Sequence, residues 1–518
     1  MQVHEFLELS AQRYPDRKAA WYKDEWKTFA ELDTMANQVG NHLKEHGVRR
    51  GDRVALLYGN SFDYIAAYYG ILKAGAVTVA LNTETTSDTL QYLLTNSGAR
   101  AIVTNQAFTR HLVPVLPHVP DLRHVVVRQD DLTPYEGVDG IRAARLQDAY
   151  AGAAGSRPRV RGIDLDLASI VYTSGSTGKS KGVTLRHYNI MANTRSIVDY
   201  LRLTADDRVM VVLPFYYIYG KSLLNTHFAV GGSVVLDNRF AFPNVILETM
   251  KKTEVTGFAG VPSTFMILLS RSVVRKEKFP ALRYLTQAGG PMAPAVQKDV
   301  AETFAPAKLY VMYGATEASA RLSYLDPDDL PRKWGSIGKA IPNVDLFVAD
   351  EEGRELPQGE VGELVARGTN FMEGYWKDPE ETGRVMRHGL YYTGDLGRMD
   401  EEGFLYVVGR TKDMVKVGGE RVSAKEVEEA ILELKEIQEV AVIGVDDDVL
   451  GEAIKAFVIA APGHEVGSAL VVEHCRRRLP LFKVPKFVEV VTELPKNESG
   501  KVLKPVLRER ERKKPGKE

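Results

Sequence analysis

An α/β fold in two unequal parts is what this sequence predicts, and three observations predict it. Short apolar runs alternate with segments of helical periodicity as far as about Tyr313, the rhythm of a largely parallel sheet covered on both faces. From about Gly335 short segments bounded by Gly, Pro and Asp take over, the texture of β-hairpins. Beyond Gly409-Arg410 strands and helices alternate once more, over a stretch too short for a second large sheet. A chain of 518 residues also exceeds what one hydrophobic core supports. The expectation is a large N-terminal domain over 1–410, made of two α/β subdomains plus a distorted β-barrel at about 335–408. A small mobile α+β domain over 411–518 follows it.

The elements follow in order. Met1 to Ser10 reads as the first turns of an amphipathic helix. Arg53-Val-Ala-Leu-Leu-Tyr is a strand, 62–74 a helix, Ala76-Val-Thr-Val-Ala-Leu a strand, 87–95 a helix and Ala101-Ile-Val-Thr a strand. Residues 151–161, rich in Gly, Ala, Ser and Arg, predict a surface loop. The rhythm returns at Val209-Met-Val-Val-Leu, Ser233-Val-Val-Leu, 245–252 and Leu309-Tyr-Val-Met-Tyr. Val344-Asp-Leu-Phe-Val-Ala and Gly362-Glu-Leu-Val-Ala-Arg belong to the hairpin unit. In the last part 424–434 and 469–478 read as helices, and Val440-Ala-Val-Ile-Gly-Val and Ile454-Lys-Ala-Phe-Val-Ile as strands. The charge run from Arg508 predicts a frayed tail.

Composition excludes several classes. The 67 basic and 68 acidic side chains nearly cancel, which argues against a nucleic-acid or anionic-membrane partner. No run approaches the roughly 18 uninterrupted apolar residues of a spanning helix. The N-terminus carries acids where a secretory leader would carry basic residues. The single cysteine, Cys475, can make no internal disulfide and favours a reducing compartment. A soluble cytoplasmic enzyme fits these observations.

The most informative stretch is Tyr172-Thr-Ser-Gly-Ser-Thr-Gly-Lys-Ser-Lys-Gly-Val183, which follows the apolar strand Leu167-Ala-Ser-Ile-Val-Tyr. Thr173, Ser174, Ser176 and Thr177 supply hydroxyl donors, Gly175 and Gly178 let the backbone approach a ligand, and Lys179 and Lys181 add positive charge. Donors so concentrated suit a polyanion such as a triphosphate. A flexible Ser/Gly linker is the plainer reading, but linkers are not usually set between a buried strand and a helix. A P-loop fails on spacing: it needs four residues before its Gly-Lys-Ser/Thr, and only two separate Gly175 from Gly178.

The loop resembles the signature of the adenylate-forming superfamily: acyl-CoA synthetases, coumarate ligases, beetle luciferases and peptide-synthetase adenylation domains. Ser180 stands where that family usually has proline. Further segments match it in the family's order. In Leu309-Tyr-Val-Met-Tyr-Gly-Ala-Thr-Glu317 the resemblance implies that Tyr313 and Gly314 lie against adenine. There Thr316 would meet the phosphate or acyl carbonyl, and Glu317, with Thr177, would hold Mg²⁺. Gln287-Ala-Gly-Gly-Pro-Met292 resembles the loop over the other adenine face, with Gly289, Gly290 and Pro291 as contacts. Tyr391-Tyr-Thr-Gly-Asp395 implies that Asp395 accepts from the ribose hydroxyls, with Arg410 nearby. Lys412 falls at the family's hinge, and Val417-Gly-Gly-Glu resembles the loop that presents Gly418 and Gly419 to a pantetheine tunnel. Leu494-Pro-Lys-Asn-Glu-Ser-Gly-Lys501 implies a mobile catalytic Lys501.

The acid pocket is written less clearly. Leu213-Pro-Phe-Tyr-Tyr-Ile-Tyr-Gly220 sits where the family has Pro-x-Phe-His, with Tyr217 in place of the gating histidine. No acid occurs from Val209 to Gly232, so an α-ammonium would be buried unpaired, which is expensive. Gly260, Val261 and Ala315 are implied as pocket lining. Lys221 reads either as a surface lysine or as a partner for a polar or acidic group on the substrate.

Together these readings imply an AMP-forming acid–thiol ligase of the acyl-CoA synthetase type, using ATP, Mg²⁺ and coenzyme A on a small carboxylic acid. The alternatives are transfer to the phosphopantetheine of a separate carrier protein, a luciferase-like monooxygenase, or a nucleotide-binding protein without catalysis.

Overall fold

The alternation of apolar strands and amphipathic helices resolves into two sheets sharing one core. The computed structural model describes residues 1–173, 180–410, 413–418, 420–447, 449–496 and 502–513. In an eight-stranded sheet Leu167–Thr173, Val77–Ala80, Arg53–Leu57, Ala99–Asn105, His124–Arg128 and Arg142–Arg145 run parallel. Lys181–Arg186 and Gly374–Tyr375 add antiparallel strands at one edge. In a nine-stranded sheet the parallel strands are Lys308–Tyr313, Tyr284–Gln287, Gly257–Gly260, Arg208–Val211, Ser233–Leu236 and Lys18–Tyr22.

Two helices between the sheets explain why the core is common to both. Phe62–Lys73 and Ile218–Val230 are buried nearly all round. Tyr69 of the first stacks on Phe228 of the second, with centroids 5.7 Å apart and planes 7° from parallel. Val54 and Leu56 from one sheet and Val209 and Val211 from the other join the same apolar cluster.

The hairpin region contains a five-stranded antiparallel sheet of Val344–Ala349, Gly362–Gly368, Leu390–Met399, Met386–Arg387 and Leu405–Arg410. A second five-stranded sheet, built on Ile437–Asp447 and Gly451–Ala460 with the helices Ala424–Ile431 and Ser468–Arg478, forms the small C-terminal part. The overall class is therefore α/β with a large N-terminal and a small mixed C-terminal domain.

Three local readings change. The glycine-rich loop leads into a strand, Lys181–Arg186, and only then into the helix His187–Leu201. Its apolar residues Val183 and Leu185 are wholly buried and pair antiparallel with the preceding strand. The helix Leu146–Gly152 takes the first residues of the loop expected at 151–161. The charged tail is helical from Lys504 to Arg512, because Leu507 is buried against Ala441, Ile443 and Phe457 and Arg508 pairs with Asp413 at 2.9 Å.

Candidate active site

Three of the singled-out segments leave the nine-stranded sheet at the carboxyl ends of neighbouring strands. Gly257–Gly260, Tyr284–Gln287 and Lys308–Tyr313 are neighbouring parallel strands, with Gly260 opposite Gln287 and Gln287 opposite Val311. Their carboxyl ends therefore deliver Gly260-Val261, Gly289-Gly290-Pro291 and Tyr313-Gly314 side by side, where open α/β sheets bind ligands. Gly289 has φ +86°, and a Cβ there would meet Val261 at 3.0 Å. Only glycine suits that crossing of two loops. Gln287 donates to the Gly290 carbonyl at 2.8 Å and fixes the turn.

The Thr316-Glu317 turn is held from several directions. Thr316–Ala318 forms a single 3₁₀ turn, followed by Ser319 and Ala320 at φ 54° and 120°. Such backbone costs about 1–3 kcal/mol per residue and persists only where surroundings enforce it. Here Asn370 donates to the carbonyls of Ala318 and Arg321 at 2.9 and 3.0 Å, and Ser319 donates to the Asn370 carbonyl at 2.7 Å. A Cβ on Gly314 would lie 2.0 Å from the Ala320 oxygen, so the closing of this loop explains that glycine.

Glu317 is tied to the strand Lys181–Arg186 through one short segment. Its Oε1 accepts from the Tyr375 hydroxyl at 2.7 Å, and its carbonyl accepts from Met372 N–H at 2.8 Å. Gly374 and Tyr375 in turn pair with Thr184 and Val183. Burial and the Glu317 carboxylate push the Tyr375 phenol far above its ordinary pKa, so it remains a donor. Thr173 ends its strand opposite Lys181. Lys181 itself is engaged, paired with Glu381 and 5.3 Å over the Tyr375 ring. Ser174, Gly175, Ser176, Thr177, Gly178 and Lys179 lie outside the described residues, as do Lys412, Gly419 and Lys501.

Asp395 is the hub of the other half of the site. Its strand register sets it directly opposite Arg410, whose Nε lies 2.7 Å from Oδ1, while the Tyr313 hydroxyl donates to Oδ2 at 2.6 Å. Burial, then the Asp395 carboxylate, raise the Tyr313 phenol well above its usual range. Burial opposes the Arg410 charge, but Asp395, Tyr313 and Asp413 outweigh it and raise its pKa. The Thr-Gly-Asp turn is preset: Gly394, at φ +71°, donates to Glu363 at 2.8 Å, and Asp395 N–H to Thr393 Oγ1 at 3.0 Å.

The gate loop is anchored from the opposite sheet's side of the core. Buried Asn60 donates to the Leu213 carbonyl at 3.0 Å and accepts from Phe215 N–H at 2.8 Å, and the Tyr64 hydroxyl donates to the Phe215 carbonyl at 3.0 Å. Tyr217 caps the helix Ile218–Val230, half-buried and 4.5 Å from the Tyr216 ring. Along that helix Tyr219 turns to the nine-stranded sheet, its hydroxyl 2.9 Å from the Thr286 carbonyl. Lys221, about 200° further round, turns to Tyr68, with Nζ 5.3 Å from that ring. The surface-lysine reading is wrong: Lys221 is 1% exposed, and its Nζ has no hydrogen-bond partner among the described residues. Burial lowers its pKa to about 7. In the C-terminal part, Gly418 is exposed at φ +58° with its N–H donating to the Leu450 carbonyl at 2.9 Å.

Asn60, Asn370 and Tyr375 escaped the sequence reading. Each acts on a segment far away in the chain, and nothing local marks such pairings.

The structure brings these side chains together from remote segments, and comparison with known families shows which family the chain belongs to. The model of the AMP-binding enzyme family matches residues 7–376, and that of the AMP-binding enzyme C-terminal domain matches 426–501. The chain belongs to the AMP-binding enzyme family. It is an enzyme of the adenylate-forming, acid–thiol ligase class. A long-chain-fatty-acid–CoA ligase from Yersinia pestis is 34% identical over 534 residues, covering 98% of this chain and 94% of that protein. The structure of the anthranilate CoA ligase AuaEII in complex with anthranoyl-AMP matches with a TM-score of 0.90 at 28% identity, covering 99% and 97% of the two chains. ATP-bound MatB from Rhodopseudomonas palustris matches with a TM-score of 0.87 at 31% identity, covering 98% and 99%. Among the described residues no helix is long and apolar enough to cross a membrane.

Proposed function

We propose that this family member converts a carboxylic acid lacking an α-ammonium group into its acyl-adenylate, releasing pyrophosphate, and then transfers the acyl group to coenzyme A. The observation that carries this reading is the convergence of Tyr313, Asp395 and Arg410 in one hydrogen-bonded set beside the Gly289-Gly290 loop. A carboxylate is a poor electrophile, and attack of its oxygen on the α-phosphorus of ATP replaces the oxide with AMP as leaving group. Catalysis of such a step rests on positioning and charge.

In this reading Asp395 accepts from the ribose hydroxyls, and Tyr313 and Gly289-Gly290-Pro291 flank the adenine. Thr173, Ser174, Gly175, Ser176, Thr177, Gly178 and Lys179 hold the β- and γ-phosphates, and Thr316 orients the α-phosphate. Lys501 offsets charge at the reacting phosphorus. Glu317 fits a magnesium ion: it is a hard carboxylate donor oriented by Tyr375, and Mg²⁺ takes one or two carboxylates plus phosphate oxygens and water. Bound there, with Thr177, the ion neutralises phosphate charge.

The C-terminal domain, from 411 onward, turns about Lys412 between the two half-reactions. Rotation withdraws Lys501 and brings Gly418 and Gly419 to the pantetheine; domain steps of this kind commonly limit turnover. The acid lies against Tyr217, Gly260, Val261 and Ala315. Lys221 stands behind that wall, since its helix aims it at Tyr68 and not at the strand carrying Thr286.

The relatives carry coenzyme A ligase names, which favours coenzyme A over a carrier protein. Incubation with acid, ATP and either coenzyme A or a phosphopantetheinylated carrier tests this. Acyl-CoA is the expected thioester. Thioester on the carrier alone would move the assignment to a carrier-protein ligase, and oxygen uptake after adenylation would move it to a monooxygenase.

A further inference from the structure

The helix Phe29–Glu45 ends with two histidines one turn apart, His42 and His46, and His124 opens the strand beside them. Residues four apart share one helix face, so both imidazoles turn toward the strand. His42 and His124 are buried, and His46 is half-buried at the helix end. One ring nitrogen from each lies within 4.8 Å of the other two.

Hydrogen bonding decides what those nitrogens offer. His46 Nδ1 lies 2.8 Å from the His42 carbonyl oxygen, and His124 Nδ1 lies 2.9 Å from the Arg142 carbonyl oxygen. A carbonyl only accepts, so both Nδ1 atoms carry the proton, and each neutral ring presents a bare Nε2 lone pair. His42 Nε2 stands 3.0 Å from His124 Nε2. The cluster thus holds acceptor nitrogens with at most one proton between them. Imidazoles tied through Nδ1–H to a backbone carbonyl are the arrangement that orients histidine toward a metal. Burial, then the neighbouring imidazoles, lower His124 to a pKa of about 3; burial, then His46, lower His42 to about 4.

The position separates this cluster from the nucleotide site. His124 begins its strand, whereas Thr173 ends a strand of the same parallel set, so the two lie at opposite edges of the sheet. The donor set differs as well: three nitrogens and no carboxylate suit zinc-like ions, and oxygen-seeking Mg²⁺ is excluded. We propose that His42, His46 and His124 bind one borderline divalent ion of the zinc, cobalt or nickel type, with water completing the shell. The ion clamps the end of the helix to the edge of the eight-stranded sheet. His46 and His124 stack at 4.4 Å with planes 5° apart, so on binding the half-buried His46 ring swings out of the stack about χ2, a soft torsion, and its Nδ1–H exchanges the His42 carbonyl for solvent.

The test uses tag-free, full-length protein stripped by chelation and titrated with Co²⁺ without nucleotide. The expected result is saturable visible d–d absorption at one equivalent, displaced by Zn²⁺, with Zn²⁺ raising the melting temperature by mass action. His46→Ala and His46→Gln, folded by circular dichroism and active in pyrophosphate exchange, should weaken Co²⁺ binding at least about tenfold, the low end of the typical loss for altering even an outer partner of a ligand. Absence of a saturable band in the wild type, equal binding by the His46 variants, or loss of the band in Glu317→Gln would overturn the proposal.

Discussion

In the assignment proposed above, the nucleotide half and the acid half of the site are built on different principles. Around the nucleotide, polar groups are paired with one another: Tyr313 and Arg410 on Asp395, Tyr375 on Glu317, and the Gly394 N–H on Glu363. Around the acid the walls are apolar or aromatic, and they are placed by distant buried groups such as Asn60 and Tyr64. A nucleotide offers fixed charges and donors, so its site requires particular residues at particular spacings. An acyl tail offers mainly shape, which many side-chain combinations satisfy. That contrast explains how chains named for long-chain fatty acids and for anthranilate match this one over nearly its whole length.

The sharpest way to break the comparison is on the nucleotide side. Lys501→Ala should lower pyrophosphate exchange about 10²–10³-fold, the usual consequence of removing one preorganised charge or donor. It should leave conversion of supplied acyl-AMP to thioester intact. Equal loss of both half-reactions would show that Lys501 does not act on adenylation alone. A smaller effect is expected of Asp395→Asn, which keeps the shape but loses charge-assisted hydrogen bonds of about 1.5–3 kcal/mol. The KM for ATP should rise roughly ten- to a hundredfold, with KM for the acid unchanged. A change confined to the acid would reverse the assignment.

On the acid side the expected effect is one of stability. With its folded pKa lowered to about 7, Lys221 binds fewer protons folded than unfolded between there and its ordinary 10.5. Stability must then rise with pH across that window, because the unfolded state binds more protons. Lys221→Met should flatten the rise and stabilise the protein at neutral pH by roughly 1–3 kcal/mol, the scale for a buried polar group without a partner. The ranking of acids in pyrophosphate exchange should not move. Melting curves from pH 7 to 10 check the first part; a shift of preference from dicarboxylates to apolar acids would put Lys221 in the pocket.

Legibility followed the same division. Tyr313, Glu317 and Asp395 sit in contiguous segments with local patterns, so the sequence could single them out, and the structure brings Tyr313 and Asp395 together. Glu317 depends equally on Tyr375, and the gate on Asn60, but those partners come from remote parts of the chain and leave no periodic trace. The strand Lys181–Arg186 was hidden because it runs into a helix without an intervening Gly or Pro. The surface reading of Lys221 failed because its charge outweighed its place on a helix that is otherwise uncharged to His227. The helical tail depended on Leu507, one apolar residue among many charges.

Pyrophosphate exchange across a matched panel of aliphatic, aryl and dicarboxylic acids and the proteinogenic amino acids tests the account most directly. The account predicts robust, magnesium-dependent exchange with at least one acid lacking an α-ammonium group and none with amino acids. Exchange with an amino acid alone would contradict it.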